Sequence, residues 1–148
     1  MPQVILNELN QHNYREILKL NVRKDQKQFV ATNAISLAQA HFHPEAWYRG
    51  IYADDTPVGF AMLEINTLKP EYYLWRFMID ENHQGKGYGY AAMKLLIAHV
   101  KTLPKASEFL LSYIPAEGSP QKFYQKLGFE DTGEVHEGEN IMRLSLNP

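Results

Sequence analysis

Ten residues in the middle of the chain, Asp80-Glu81-Asn82-His83-Gln84-Gly85-Lys86-Gly87-Tyr88-Gly89, have the composition of an anion cradle. Glycine at 85, 87 and 89 lets a ligand approach the main chain closely and permits positive φ. From Gly87 to Lys101, Tyr88, Ala91, Ala92, Leu95 and Leu96 recur at helical spacing. A helix beginning there points its unbonded N–H groups, and roughly half a positive charge, into the glycine segment. Phosphate suits such a place. A nucleotide P-loop needs Ser or Thr after its Gly-Lys pair, and Gly87 stands there instead. A dinucleotide fingerprint needs its third glycine where Tyr90 stands, and belongs early in a βαβ unit. Neither loop fits.

The elements that must hold this loop follow from periodicity. Tyr72 to Asp80 reads as the strongest strand, with Tyr73, Trp75, Phe77 and Ile79 on one face and Leu74, Arg76, Met78 and Asp80 on the other. Upstream lie a strand at Val4–Leu6, a helix with Tyr14, Ile17, Leu18 and Val22 on one side, and a second helix capped by Asn33 and ended by His43-Pro44. Strands Tyr48–Ala53 and Val58–Ile65 then flank a turn at Asp54-Asp55-Thr56-Pro57. Downstream come a strand at Glu108–Ile114 and a helix from Ser119-Pro120 to Leu127, stopped by Gly128. Closing strands Phe129–Val135 and Ile141–Leu146 are joined by His136-Glu137-Gly138-Glu139. The order β-α-α-β-β-β-α-β-α-β-β, with no linker or repeat, predicts one mixed α/β domain over residues 3–148.

Gln84-x-x-Gly87-x-Gly89 matches the Gln/Arg-x-x-Gly-x-Gly/Ala loop of the GNAT superfamily of N-acetyltransferases. Phe123-Tyr124-Gln125-Lys126-Leu127-Gly128-Phe129 resembles that family's second signature, a short helix ending in a tyrosine and then Gly-Phe. Together with the element order, the resemblance spans nearly the whole chain. Within the family, Val58–Met62, Arg76–Asp80 with Gln84–Gly87, and Gly133-Glu134 look like bacterial spermine/spermidine acetyltransferases. Two departures stand out: Trp75 occupies the place of a common carboxylate, and Glu117-Gly118-Ser119-Pro120 replaces an Asn-x-x-Ala.

The resemblance implies the GNAT fold, acetyl-CoA as co-substrate and direct transfer to a primary amine in a ternary complex. It implies that the main chain of Phe77, Met78 and Ile79 pairs with the pantetheine arm, in a gap where the strands at Tyr72–Asp80 and Glu108–Ile114 splay. The loop Gln84, Gly85, Lys86, Gly87, Tyr88, Gly89 and Tyr90 is then the cofactor-binding segment, with main-chain N–H groups on the pyrophosphate. Tyr124 takes the position of the acid that protonates the thiolate. Polyamines head the implied acceptors. A protein or peptide amine is the alternative acceptor, and a non-catalytic acyl-CoA-binding or regulatory module the alternative class.

The chemistry asks for a base as well. Freeing an alkylammonium of pKa about 10.4 at pH 7 costs roughly 4.6 kcal/mol, so a carboxylate or water relay must help. Glu64, late in an apolar strand, is preferred over Asp80 and Glu117. Phe29, Trp75 and Tyr113 are candidates for an apolar or cation–π acceptor pocket. Glu45, Asp54, Asp55, Glu64, Glu71 and Glu117 are the acidic supply for a polycation, and Lys86, Lys94, Lys122 and Lys126 a candidate phosphate patch.

Composition narrows the rest. The chain has 148 residues, no cysteine and a net charge of −2. Disulfides, thiolate catalysis and Cys-ligated zinc are excluded, and a broad nucleic-acid surface would need a basic excess. His41 and His43, two apart on a helix, face different ways, so no metal is expected. No leader pattern follows Met1 and no apolar run approaches a membrane span, which predicts a cytoplasmic protein without membrane partners. A homodimer is left open.

Overall fold

The computed structural model describes residues 2–147. Met1, included in the N-terminal reading, and Pro148, included in the expected domain, lie outside the described residues. In chain order the elements are β1 (Val4–Asn7), α1 (Tyr14–Leu18), α2 (Asn33–Phe42), β2 (Ala46–Ala53), β3 (Thr56–Asn66), β4 (Glu71–Ile79), α3 (Tyr88–Lys101), β5 (Glu108–Tyr113), α4 (Gln121–Lys126), β6 (Glu130–His136) and β7 (Glu139–Ser145). Short 3₁₀ turns at Lys24–Gln26 and Glu81–His83 are added to the expected order. Seven strands form one sheet in the order β1-β2-β3-β4-β5-β7-β6. Every neighbouring pair is antiparallel except β4 and β5.

Both faces of the sheet are covered, which is why β3 is buried continuously from Val58 to Leu63 rather than alternately. One cluster sets Ala61, Leu63, Tyr72, Leu74 and Leu111 against Ala92, Met93, Leu96 and Val100 of α3. The other joins Tyr52, Phe60, Met62 and Met78 to Ile17 of α1 and Leu37 of α2.

The expected two faces of β4 are not those observed. Met62 pairs with Arg76, but Leu63 pairs with Leu74, so Trp75 is the extra residue of a β-bulge. A one-residue insertion inverts the alternation beyond it. Tyr72 and Leu74, before the bulge, therefore share a cluster with Phe77 and Ile79, after it. Trp75 goes to the opposite cluster with Met78. Pairing between β4 and β5 extends only over Tyr73↔Leu110 and Leu74↔Leu111. β5 stays paired with β7 as far as Tyr113, so the two parallel strands part where the bulge begins.

Hydrogen bonding also explains two changes near α1. The helix expected to run to Val22 stops at Leu18. Asp80 accepts the Asn21 N–H at 2.9 Å, and Asn21 accepts the Glu81 N–H at 2.8 Å, holding this segment against the end of β4. The cap of α2 is Thr32, whose hydroxyl accepts from the Ile35 N–H at 3.3 Å. Asn33 is buried instead, and its amide donates to the Ile17 carbonyl at 2.8 Å, tying α2 to α1.

Gly59 sets how closely β3 can lie against β4. A Cβ there would stand 2.3 Å from the Met78 carbonyl oxygen and 2.9 Å from Ile79 Cδ1. Gly59→Ala is expected to lower folding stability by about 1–3 kcal/mol through overpacking, read by urea denaturation. A loss below about 0.5 kcal/mol, the range of an innocuous surface change, would contradict this close approach.

Candidate active site

Where β4 and β5 part, a cleft of about 1090 Å³ opens. Residues 73–79 of β4 line it, and no strand pairs with β4 beyond Leu74 on that side. Main-chain groups of Phe77 and Ile79 thus meet the cleft rather than a neighbouring ladder, while the Met78 carbonyl turns to Gly59 of β3. Phe77, Met78 and Ile79, expected to meet the pantetheine arm, are all in the lining.

The glycine loop closes one end. Gly85 and Gly87 have φ of 75° and 84°, and a Cβ at either would meet nothing within 4 Å. Gly89 serves a different purpose: its Cβ would lie 3.4 Å from Ile79 and 3.5 Å from Phe123, so its absence lets α3 approach β4 and α4. Gly87 caps α3 without a side-chain bond, and no acidic residue stands in the first turn. The first helical N–H bond runs from Ala91 to Gly87, leaving those of Tyr88, Gly89 and Tyr90 without a helical acceptor. Gln84 braces the loop, its amide donating to the Ile79 carbonyl at 2.9 Å and to Gln26 at 2.8 Å. Of the expected lysine patch only Lys126 lines the cleft; Lys27 lines it too, while Lys86 does not. Lys94 lies over the Tyr90 ring, 5.3 Å from its centroid.

Tyr124 of α4 is buried between Phe123 and Phe129, with ring centroids 5.4 and 5.9 Å away. It lines the cleft, and its hydroxyl has no hydrogen-bond partner among the described residues. Burial first, and nearby Tyr73 second, push its pKa far above the ordinary tyrosine value. The hydroxyl stays protonated and free to donate.

The carboxylates are distributed otherwise than the sequence reading expects. Glu64 is exposed on β3 opposite Tyr73 and does not line the cleft. Asp80 is buried and occupied by the Asn21 and Asn82 N–H groups. None of Glu45, Asp54, Asp55, Glu64, Glu71 and Glu117 is in the lining; Glu139, at the start of β7, is the one carboxylate there among the described residues. It accepts from the Ser112 hydroxyl at 2.9 Å, and Ser112 accepts from the Tyr73 hydroxyl. Burial first raises the Tyr73 pKa, with the negative charges of Glu139 and Glu64 acting the same way.

Beside these three residues, Arg76 donates to the Trp75 carbonyl and to Gln39, each at 3.0 Å, and its buried Nε has no partner among the described residues. Burial lowers its pKa, while Glu139 and Tyr73 oppose that shift. Phe29, Trp75 and Tyr113 all line the cleft. Trp75 stands edge-on to His43 with centroids 5.3 Å apart, and the Tyr113 hydroxyl is engaged by Asp131 at 2.6 Å. Among the described residues no three His, Cys, Asp or Glu side chains group as metal ligands, and no helix is long and apolar enough to cross a membrane.

Lys27, Ser112 and Glu139 were not accessible to motif reasoning. Lys27 lies in an irregular segment, Ser112 in an ordinary strand, and Glu139 directly after a hairpin turn. A polar Ser112 within Phe109-Leu110-Leu111-Ser112-Tyr113 was the sole local signal.

A sequence model of the acetyltransferase (GNAT) family matches residues 7–129. The chain is 33% identical over 147 residues to the spermine/spermidine N(1)-acetyltransferase of Bacillus subtilis (strain 168), with 90% of this chain and 93% of that protein covered. The fold is shared with the spermidine N-acetyltransferase of Vibrio cholerae in complex with CoA and spermine, at TM-score 0.72 and 19% identity, over 95% of this chain and 93% of that one. It is shared also with the PaiA N-acetyltransferase of Thermoplasma acidophilum in complex with coenzyme A, at TM-score 0.69 and 15% identity, over 97% and 99% of the two chains.

The state of Tyr124 can be read without any ligand. Its folded pKa lies above the unfolded value of 10.0, so the stability it confers is complete below pH 10 and is lost as pH rises through the folded value. Phenolate absorbance of Tyr124→Phe is expected to follow the native titration through pH 10 and to fall one tyrosine short only after unfolding. A difference already visible in the folded proteins at pH 10 would place the hydroxyl in water.

Proposed function

The chain belongs to the GNAT family of acetyltransferases, and from that premise we propose that it transfers the acetyl group of acetyl-CoA directly to a primary amine bound in the same cleft. The observation that carries this reading is the meeting of two unsatisfied main-chain surfaces: the open edge of β4 and the uncapped start of α3. A ligand with a diphosphate joined to an amide-bearing arm can occupy both at once. The N–H groups from Gly85 to Tyr90 hold the diphosphate, with Lys27 and Lys126 nearby. The edge that Phe77 and Ile79 present pairs with the arm as an added strand would. A main-chain N–H on this open edge, that of Phe77 or Ile79, takes the oxyanion that develops on the thioester, since Met78 turns its main chain to β3.

Tyr124 donates a proton to the departing thiolate. Its free hydroxyl and upward-shifted pKa suit an acid rather than a base. The acceptor enters past Phe29, Trp75 and Tyr113, and its ammonium can lie on the aromatic faces. Polyamines lead the acceptors because of the likeness to the Bacillus subtilis enzyme. Among the described residues the cleft offers a polycation one carboxylate, Glu139, so its charge selectivity rests there and on the rings.

Comparison of kcat/KM for spermine, spermidine, putrescine, a monoamine and a peptide tests both levels. Advantage for spermine and spermidine over the monoamine is expected; equality removes the polyamine acceptor, and acetylation of none removes acetyl transfer. Gly87→Val places a β-branched residue at positive φ facing the diphosphate, and calorimetry should read a loss of CoA affinity of at least about tenfold, or 1.4 kcal/mol. Tyr124→Phe should lower kcat by about 10²–10⁴-fold while CoA affinity holds. A kcat within about twofold, with chemistry limiting, would make the tyrosine structural.

A further inference from the structure

We propose that Tyr73, Ser112 and Glu139 form a one-way proton relay that drains the acceptor ammonium, with Glu139 as the terminal acceptor. This rests on the acetyl-transfer reading and supplies the base that reading lacks. The three residues sit on three adjacent strands, β4, β5 and β7, at the foot of the opening between β4 and β5. All three line the cleft. Tyr73 bonds to Ser112, and Ser112 to Glu139 at 2.9 Å.

The direction of the chain is fixed by chemistry. An ionised carboxylate can only accept, so the Ser112 proton is committed to Glu139. Ser112 is then an acceptor towards Tyr73, whose proton is committed in turn. What Tyr73 presents to the cleft is an oxygen with free lone pairs. Tyr124, whose own pKa is raised in part by nearby Tyr73, has the opposite polarity: a hydroxyl proton with no partner among the described residues. The two phenols therefore differ in what they can do, one receiving a proton and one giving it.

The step balances. An N–H bond of the ammonium breaks as the Tyr73 oxygen gains a proton. The former Tyr73 proton passes to Ser112 and the former Ser112 proton to Glu139, leaving a neutral amine and a protonated Glu139. The amine lone pair forms the bond to the thioester carbon. As the C–S bond breaks, Tyr124 protonates the sulfur, and the proton still to leave nitrogen restores Tyr124. One proton reaches solvent through Glu139 per turnover. The other charged or titratable groups around Tyr73 are Glu64 across from it on β3 and Arg76 on its own strand. Glu64 lies outside the cleft and Arg76 can only donate, so neither replaces Glu139 as terminus.

Glu139→Gln keeps an acceptor oxygen for Ser112 but cannot take up a proton. With the best basic amine of the panel, kcat at pH 7 is expected to fall by about 10²-fold or more, recovering as pH approaches the pKa of the amine. The KM for acetyl-CoA should not move. With trifluoroethylamine, which is already neutral at pH 7, the loss should shrink to less than about tenfold, because no proton must be removed before attack. Ser112→Ala should give the same pattern, and carries the test if Glu139→Gln does not fold. Equal losses for both amines, or a kcat within about twofold of native with the basic amine, overturn the relay. Native protein that binds CoA but acetylates no amine overturns acetyl transfer itself.

Discussion

Trp75 is one residue too many for its strand, and much of the site depends on how the sheet accommodates it. Inserting it opposite the Met62–Leu63 step turns the remainder of β4 over, so that Phe77 and Ile79 stay under α3 while Trp75 and Met78 face α1 and α2. The bend coincides with the last parallel pair, Leu74↔Leu111. Main-chain N–H and C=O groups buried without partners are costly. A sheet interrupted at its centre, with helices over both faces, thus holds a place that a strand-like ligand can satisfy.

Around that opening, charge is arranged by position rather than by total. The whole chain is slightly acidic, at −2, yet the glycine loop end of the cleft has a helix N-terminus, and Lys27 and Lys126 are in the lining. The other end holds Glu139, linked through Ser112 to Tyr73. An anion and a cation can therefore occupy one continuous cleft without competing for the same groups. Burial is the main cause that raises the pKa of both Tyr73 and Tyr124.

The loop that receives the anion is supported from several directions. Asp80 is buried so that it can fix the Asn21 segment and the 3₁₀ turn after β4. Gln84 ties the loop to the end of β4 and to Gln26. Those bonds bring the 24–31 segment, with Lys27 and Phe29, to the rim of the cleft. Asn33 works in the same way one step further out, anchoring α2 on the last turn of α1.

Amino-acid order by itself determined the sequence of strands and helices, the glycine loop and the short helix that carries Tyr124. Each of these is a local pattern: an apolar period, a run of glycines at a strand–helix junction, or a short signature. Tertiary structure decided what depended on partners far apart in the chain. Trp75 became a bulge only because β3 fixes the register on both sides of it. Asn33, a cap by its type, became a buried donor because the Ile17 carbonyl lay within reach. Glu64 looked suited to proton removal from its place in an apolar strand, but the fold set it outside the cleft. Glu139, 66 positions after Tyr73 and 27 after Ser112, was brought to the cleft because β7 pairs with β5. Strand order, not sequence spacing, decides which carboxylate meets which hydroxyl.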